Sequence, residues 1–331
     1  MRRIIIIGLV ISTSMMPTYA GDNFNKAGRT SMQFLKIGVG ARPAALGEAC
    51  VANLNDVNAV FWNPGAITCI QSFEAGFTYT KWFGDLNITS GAVGFRLGQL
   101  GVIALNYISL DYGNLQEAPV TSSSGGAGLD TRTGNTFGGG DLALGLTFAR
   151  KYTDKLSIGV NVKYLREELY TFTSSLLAFD VGSYYLTGWR GIRLAMSAQN
   201  FAGQARWLHT KQETEQSFDL PLLFRIGWSI DLLGGENLFL GGGPSQHRFS
   251  FNMDAIHSND YAERLHIGVE YWLFDRFSLR GGYRFNYNEG NLSLGGGLDY
   301  QLSSFNIQID YAYVNYDFLE SPHRVSLLIS F

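Results

Sequence analysis

Beyond residue 20 the chain contains no run of eighteen or more apolar residues, so no helix is predicted to cross a membrane there. Cysteine is nearly absent. Cys50 and Cys69 are the only two in 331 residues, too few for a disulfide-stapled fold, and they read either as one bridge or as two small buried hydrophobes. Proline is scarce too, at seven residues. Pro119 falls in a loop, Pro221 and Pro322 stand at strand starts, and Pro244 lies in a Gly-rich approach to a strand, so no ladder is broken in its middle. Charged residues make up 16% and the formal net charge is −3, which leaves no basic face for nucleic acid. The five histidines show no metal-ligand spacing, and there is no Gly-x-Ser-x-Gly elbow. Gly138–Gly140 and Gly295–Gly297 precede no helix and so are not phosphate loops. No cofactor and no metal is implied, and the chain reads as non-enzymatic. Asp254 and His257, three apart near a strand end, are the nearest approach to a water-activating pair.

What is abundant is glycine, at 40 residues, and aromatic side chains, at 14%. Met1–Ala20 has the layout of an export signal: Arg2 and Arg3, an apolar core over Ile4–Ile11, and Thr18-Tyr19-Ala20 as a small-residue cleavage site. From Phe73 onward the pattern is short alternating segments. About fourteen are predicted: 73–83, 87–97, 100–112, 139–151, 155–169, 176–187, 191–200, 221–232, 246–256, 263–273, 276–287, 292–302, 305–317 and 321–331. Each is near the length of a tilted strand crossing a bilayer. Leu265, Ile267, Val269, Tyr271 and Leu273 share one face, with His266, Gly268, Glu270 and Trp272 on the other. Glycine-rich composition, low charge, export and alternation together point to an all-β fold, a transmembrane antiparallel β-barrel in a Gram-negative-type outer membrane. The apolar face would then meet lipid, and the polar face would line the lumen.

Connection lengths sharpen this reading. Long links are expected at 113–138, 170–175 and 201–220, and tight ones at 98–99, 152–154, 188–190, 274–275 and 303–304, as in barrels with short periplasmic turns. The stretch 233–245 is too long for a turn and leaves the strand count uncertain by two. Trp82, Phe83 and Trp189 fit an interfacial aromatic belt. The final strand alternates Val325, Leu327, Ile329 and Phe331, and its terminal aromatic looks like the signal read by barrel-assembly machinery.

The segment before the strands lacks alternation. Asp56 is placed to cap a turn over Val57–Phe61, which Asn63-Pro64 would stop. The expected organisation is a signal over 1–20, a plug or hatch over 21–72 and the barrel over 73–331. Phe61, Trp62, Asn63, Pro64 and Gly65 are the candidate hatch motif, read either as packing and a turn or as the shape of a hatch that moves. Arg225, Glu270, Arg280, Arg284, Asp299 and Asp310 are predicted to face the lumen, as ion pairs between wall and plug or as a polar path for solute. The polar loop Ala205–Asp219, with Trp207 and Leu208 exposed on it, is the candidate partner contact.

The motifs Phe34-Leu35-Lys36-Ile37-Gly38-Val39-Gly40-Ala41-Arg42, Leu46-Gly47-Glu48-Ala49 and Ala59-Val60-Phe61-Trp62-Asn63-Pro64-Gly65 resemble the opening of PorV/PorQ-type proteins within the FadL-like superfamily. The resemblance covers about thirty residues. It implies a fourteen-strand barrel with an N-terminal hatch, and two alternative jobs. PorV/PorQ-type members imply type IX-like secretion, with secretion proteins or cargo as partners. FadL-type members imply transport of hydrophobic molecules, with a ligand in the lumen and a lateral opening in a kinked barrel. FadL-like hatches carry Asn-Pro-Ala, where this chain has Asn63-Pro64-Gly65 and then Ala66.

Overall fold

The computed structural model describes residues 28–84, 86–117, 134–209, 212–234 and 246–331. The expected export signal, residues 1–20, lies outside the described residues, as do residues 235–245 within the ambiguous stretch.

Eighteen strands are described: β1 (Phe73–Lys81), β2 (Asn87–Arg96), β3 (Val102–Asp111), β4 (Leu115–Gln116), β5 (Thr136–Phe137), β6 (Gly139–Lys151), β7 (Leu156–Leu169), β8 (Phe172–Leu186), β9 (Arg193–Phe201), β10 (Ala205–His209), β11 (Gln212–Phe218), β12 (Leu223–Leu233), β13 (His247–Ser258), β14 (Arg264–Leu273), β15 (Phe277–Phe285), β16 (Leu292–Gln301), β17 (Asn306–Val314) and β18 (His323–Ser330). Fourteen of them form a closed antiparallel barrel. β1 pairs with β18 from Glu74↔Ser330 to Lys81↔His323, which removes the free edge. β4–β5 and β10–β11 are additional hairpins.

The exterior is the apolar side. Phe77, Leu105, Leu146, Val269 and Leu279 (68% exposed) point outward, while their neighbours Thr78, Asn106, Thr147, Glu270 and Arg280 are buried inside. This inverts a water-soluble protein, and it is stable because the outer face meets hydrocarbon. Phe73 and Phe331 lie at the rim with the short turns 97–101, 152–155, 187–192, 274–276 and 302–305. That rim is periplasmic by the usual disposition of such barrels.

Two expected loops are wrong. The link after β7 is only Tyr170-Thr171, with Tyr170 in the left-handed region (φ 56°), and β8 starts four residues early. The polar loop 205–219 is largely the β10–β11 hairpin, whose first strand pairs with the top of β8 through Leu208↔Thr173. Both stretches have the sequence character of loops because strands that project beyond the bilayer need no apolar face.

Inside the barrel runs the N-terminal segment, residues 30–70. It consists of a 3-10 turn over Gln33–Lys36, helix α1 (Ala41–Ala45), a 3-10 turn over Val57–Phe61 and another over Pro64–Cys69. Asp56 accepts from the Asn58 amide at 2.8 Å, capping the third of these elements. Asn63 does more than end that turn. It caps the next one, accepting from the Gly65 amide at 3.0 Å with Pro64 at the first position. One apolar cluster joins Val51, Leu54, Val57, Trp62 and Ile67 of this segment to Ala92, Ala104, Ala149 and Ala195 of the wall. Small inward residues leave the lumen room for a filling of its own chain.

Candidate functional site

The inner segment is seated on glycines. Gly159 of β7 and Gly182 of β8 are register partners, and both face inward. A Cβ on Gly182 would overlap Asn63 Oδ1, and one on Gly159 would overlap the Pro64 carbonyl. The bare backbone there makes a dent that receives Asn63-Pro64-Gly65, and Asn63 Nδ2 donates to the Ser183 carbonyl at 3.0 Å. The departure from Asn-Pro-Ala has its reason in the same place: a Cβ on Gly65 would stand 2.7 Å from the Gly182 carbonyl oxygen. A second dent lies across the barrel. Gly268 of β14 and Gly282 of β15 are also register partners, and a Cβ on either would collide with the Leu46–Gly47 backbone. Gly47 itself is left-handed (φ 62°), a conformation that glycine takes without a Cβ penalty.

Charges hold the same parts together. Arg42 makes a two-pronged contact with Glu270, Nε to Oε1 and Nη2 to Oε2, each at 2.9 Å. Arg280 bridges Glu270 and Asp310 at 2.6 Å each. Arg284 reaches Glu48 at 3.0 Å. Fully buried guanidinium–carboxylate contacts of this kind hold only when every partner is present. Of the six residues predicted to face the lumen, Glu270, Arg280, Arg284 and Asp310 belong to this network. Asp299 is half-buried near the periplasmic rim, where Asn306 Nδ2 donates to it at 3.1 Å. Arg225 is buried over the ring of Trp62, with its guanidinium carbon 4.8 Å from the centroid. Sequence reasoning missed the partners Arg42, Glu48 and Asp56, because an irregular segment has no period to say which way a side chain points.

The upper end of the inner segment is held differently. Lys36 Nζ lies 2.7 Å from Asp260 Oδ2, and Thr30 Oγ1 donates to the same oxygen at 3.0 Å. The Ser31 hydroxyl and the Met32 amide both donate to Glu167 Oε2 at 2.9 Å. Trp207 Nε1 donates to Ser31 Oγ at 2.9 Å, so Trp207 is half-buried against the chain's own N-terminal segment, whereas Leu208 is exposed. Burial pushes the Asp260 carboxyl up, but hydrogen bonds from Lys36 and Ser258 outweigh it and hold it below the ordinary carboxylate range. Above this end opens a cavity of about 360 Å³, with Phe34, Trp82, Phe83, Tyr112, Tyr287 and Tyr316 among its walls and Gln33–Gly38 as its floor. Trp82 thus faces the interior and is not part of an outer aromatic belt.

The register of the wall is irregular at two places among the described residues, between β12 and β13 at Asp231–Leu233 near the periplasmic rim and between β8 and β9. The register of β8 with β9 shifts between Phe179 and Val181, and Asn200 opposite is left-handed (φ 66°). Asp180 accepts from the Asn200 amide at 2.8 Å, and Lys163 Nζ contacts Asp180 at 2.9 Å and Asn200 Oδ1 at 2.5 Å. These three side chains close the interior where the ladder is broken.

The remaining candidates fall into place. Asp254 is buried, and its Oδ2 accepts from the amides of Cys50 and Val51, whereas His257 is exposed beside Glu263. A spacing of three puts them on opposite faces of β13, so they form no pair. Cys50 and Cys69 are both free thiols. Phe331 sits at the periplasmic rim, its amide bonded to the Phe73 carbonyl at 2.9 Å and its ring 5.5 Å from that of Phe73.

No protein-family model and no curated protein sequence matches the chain. Solved structures do. The Pseudomonas putida toluene transporter TodX matches with a TM-score of 0.55 at 11% identity, covering 88% of this chain and 97% of that one. A Pseudomonas aeruginosa FadL homologue matches with a TM-score of 0.54 at 11% identity, covering 88% and 98%. With the closed fourteen-strand wall and the apolar exterior already described, these likenesses show that the chain has the fold of FadL-type outer-membrane β-barrels.

Proposed function

We propose that this barrel passes hydrophobic small molecules across the outer membrane. The observation that carries the reading is the cavity of about 360 Å³ at the outer end, where six aromatic rings share the wall with charged side chains such as Glu48, Asp141, Glu167, Arg264 and Arg284, above an interior blocked by the chain's own segment. An apolar solute captured there meets buried guanidinium–carboxylate pairs on the way down, where it would break charge contacts and gain nothing. The β8–β9 seam offers the other exit, sideways, into lipid in which such a solute dissolves. Among structures of similar fold, TodX is named a toluene transporter and, in a mutant form, a monoaromatic hydrocarbon channel. The secretion-associated reading, PorV/PorQ-like with type IX-like cargo or partners, rests on the N-terminal motif alone and yields first place to transport.

The test is a titration of the detergent-solubilised barrel with N-phenyl-1-naphthylamine, an apolar fluorescent probe, and with an apolar aromatic competitor. Saturable binding that is displaced by the competitor and weakened in Trp82→Ala or Tyr316→Ala is the expected result. Absence of saturable binding, together with secreted cargo or large secretion components co-purifying from native membranes, overturns the reading and restores the secretion alternative.

A further inference from the structure

Arg225 is a buried cation with no ion pair among the described residues. It is 5% exposed, and two of its nitrogens, Nε and Nη1, have no hydrogen-bond partner among the described residues. The Trp62 ring beneath it offsets part of the lost hydration but accepts no in-plane N–H bond. No nearby carboxylate hydrogen-bonds to either nitrogen, although Asp254 Oδ1 is itself without a partner among the described residues. Glu48 is on Arg284, Asp180 is on Lys163, and Asp254 Oδ2 takes the amides of Cys50 and Val51. A guanidinium keeps its proton at every accessible pH, so Arg225 cannot escape the cost of burial by becoming neutral.

Arg225 lines an internal cavity of about 30 Å³, together with Trp62, Asn161, Gln199 and Asn200 and with the charged Lys36, Lys163 and Asp180, of which Lys163 and Asp180 pair with each other and Lys36 with Asp260. Room of this size holds one small ion or a water or two, and no hydrocarbon chain. The turn Gln33–Lys36, continued through Gly38, borders both this cavity and the larger outer one and stands between them. The polar neighbours are largely occupied. Asn161 Nδ2 donates to Asp180, Asn200 Nδ2 to the Pro221 carbonyl, and Gln199 Nε2 to the Phe61 carbonyl. The unmet demand in the cavity is therefore for negative charge at Arg225.

We infer that this cavity is a binding site for a small monovalent inorganic anion of halide size, held by Arg225 where the inner segment meets β12. The ion balances the guanidinium and ties the Trp62 region of the inner segment to the wall. This role is structural and does not depend on what the barrel transports.

The full-length barrel tests it directly. Crystals soaked in bromide, measured at the bromine edge, are expected to show an anomalous peak within hydrogen-bonding reach of Arg225 Nε or Nη1. In solution, replacing gluconate by chloride at constant ionic strength is expected to raise the unfolding midpoint saturably, by about 2–4 °C, in the native protein but not in Arg225→Met. The bromide map uses the native chain and stands even if the variant fails to fold. No anomalous peak, density for water or for an organic carboxylate in its place, or equal chloride responses of the native and variant proteins overturns the inference.

Discussion

The two ends of the inner segment are attached by different physics. Between residues 41 and 70 the backbone itself touches the wall, at Gly159–Gly182 and at Gly268–Gly282, and a buried charge network locks the contact. Between residues 30 and 38 the attachment is mostly through side chains, Lys36 and Thr30 to Asp260, Ser31 to Glu167, Trp207 to Ser31, and Met32 and Phe34 packed into an apolar cluster of the wall, with one backbone bond from the Ser31 amide to the Asp219 carbonyl at 3.0 Å. Backbone-to-backbone seating on glycine has no flexible part that can give. A side-chain latch can open one bond at a time. The lower end is therefore expected to behave as part of the wall, and the upper end to give way first.

Breaking the lower network tests that difference most severely. Glu270→Ala leaves Arg42 and Arg280 buried without their shared carboxylate, and a loss of about 3–5 kcal/mol is expected, read as a lowered unfolding midpoint in detergent. The seats come next. Gly282→Val forces a side chain into the Leu46–Gly47 backbone and is expected to cost about 1–3 kcal/mol or more, whereas Gly281→Val, one residue away on the lipid side, should stay within about 0.5 kcal/mol. Equal effects of the two would refute the seating argument. Asn63→Ala removes both the cap on Gly65 and the bond to Ser183, with about 1–2 kcal/mol expected in the same assay.

The latch should give the smallest change in global stability and the largest change in local motion. Lys36→Ala is expected to shift stability by about 0–1 kcal/mol. A nitroxide at residue 28 should nevertheless become distinctly more mobile. The pH dependence has a definite sign. Asp260 titrates below its ordinary range in the folded state, so its contribution is fully present above the unfolded carboxylate value and is lost only as pH falls through the lower, folded one. In Glu167→Gln, which removes the other carboxylate of the latch, label mobility should stay flat from neutral pH down to about 5 and rise only below about 4. A rise near pH 6 would show that Asp260 does not govern the latch.

Legibility in the sequence followed the bilayer. In β14 and β15, where strands cross hydrocarbon, alternation placed Glu270, Arg280 and Arg284 inward, and the structure has them there. At the outer rim both faces of a strand meet water or protein, the pattern vanishes, and β10–β11 and the start of β8 were read as loops. Trp82 was misplaced for a related reason: an aromatic residue at a strand end fits an interface belt and an inner wall equally well by composition. The dents could have been suspected from inward-facing glycines such as Gly159 and Gly182, but a single sequence does not say which glycines stand side by side.

The barrel was therefore written locally. A period of two, strand lengths matched to a bilayer and mostly short turns on one rim demand a closed antiparallel wall whatever lies inside it. What fills that wall was decided only in three dimensions. Which two glycines become neighbours depends on register between strands, and which of Arg42 and Glu48 meets which wall charge depends on the path of an aperiodic segment. Contacts between residues two hundred positions apart leave no mark on either stretch alone.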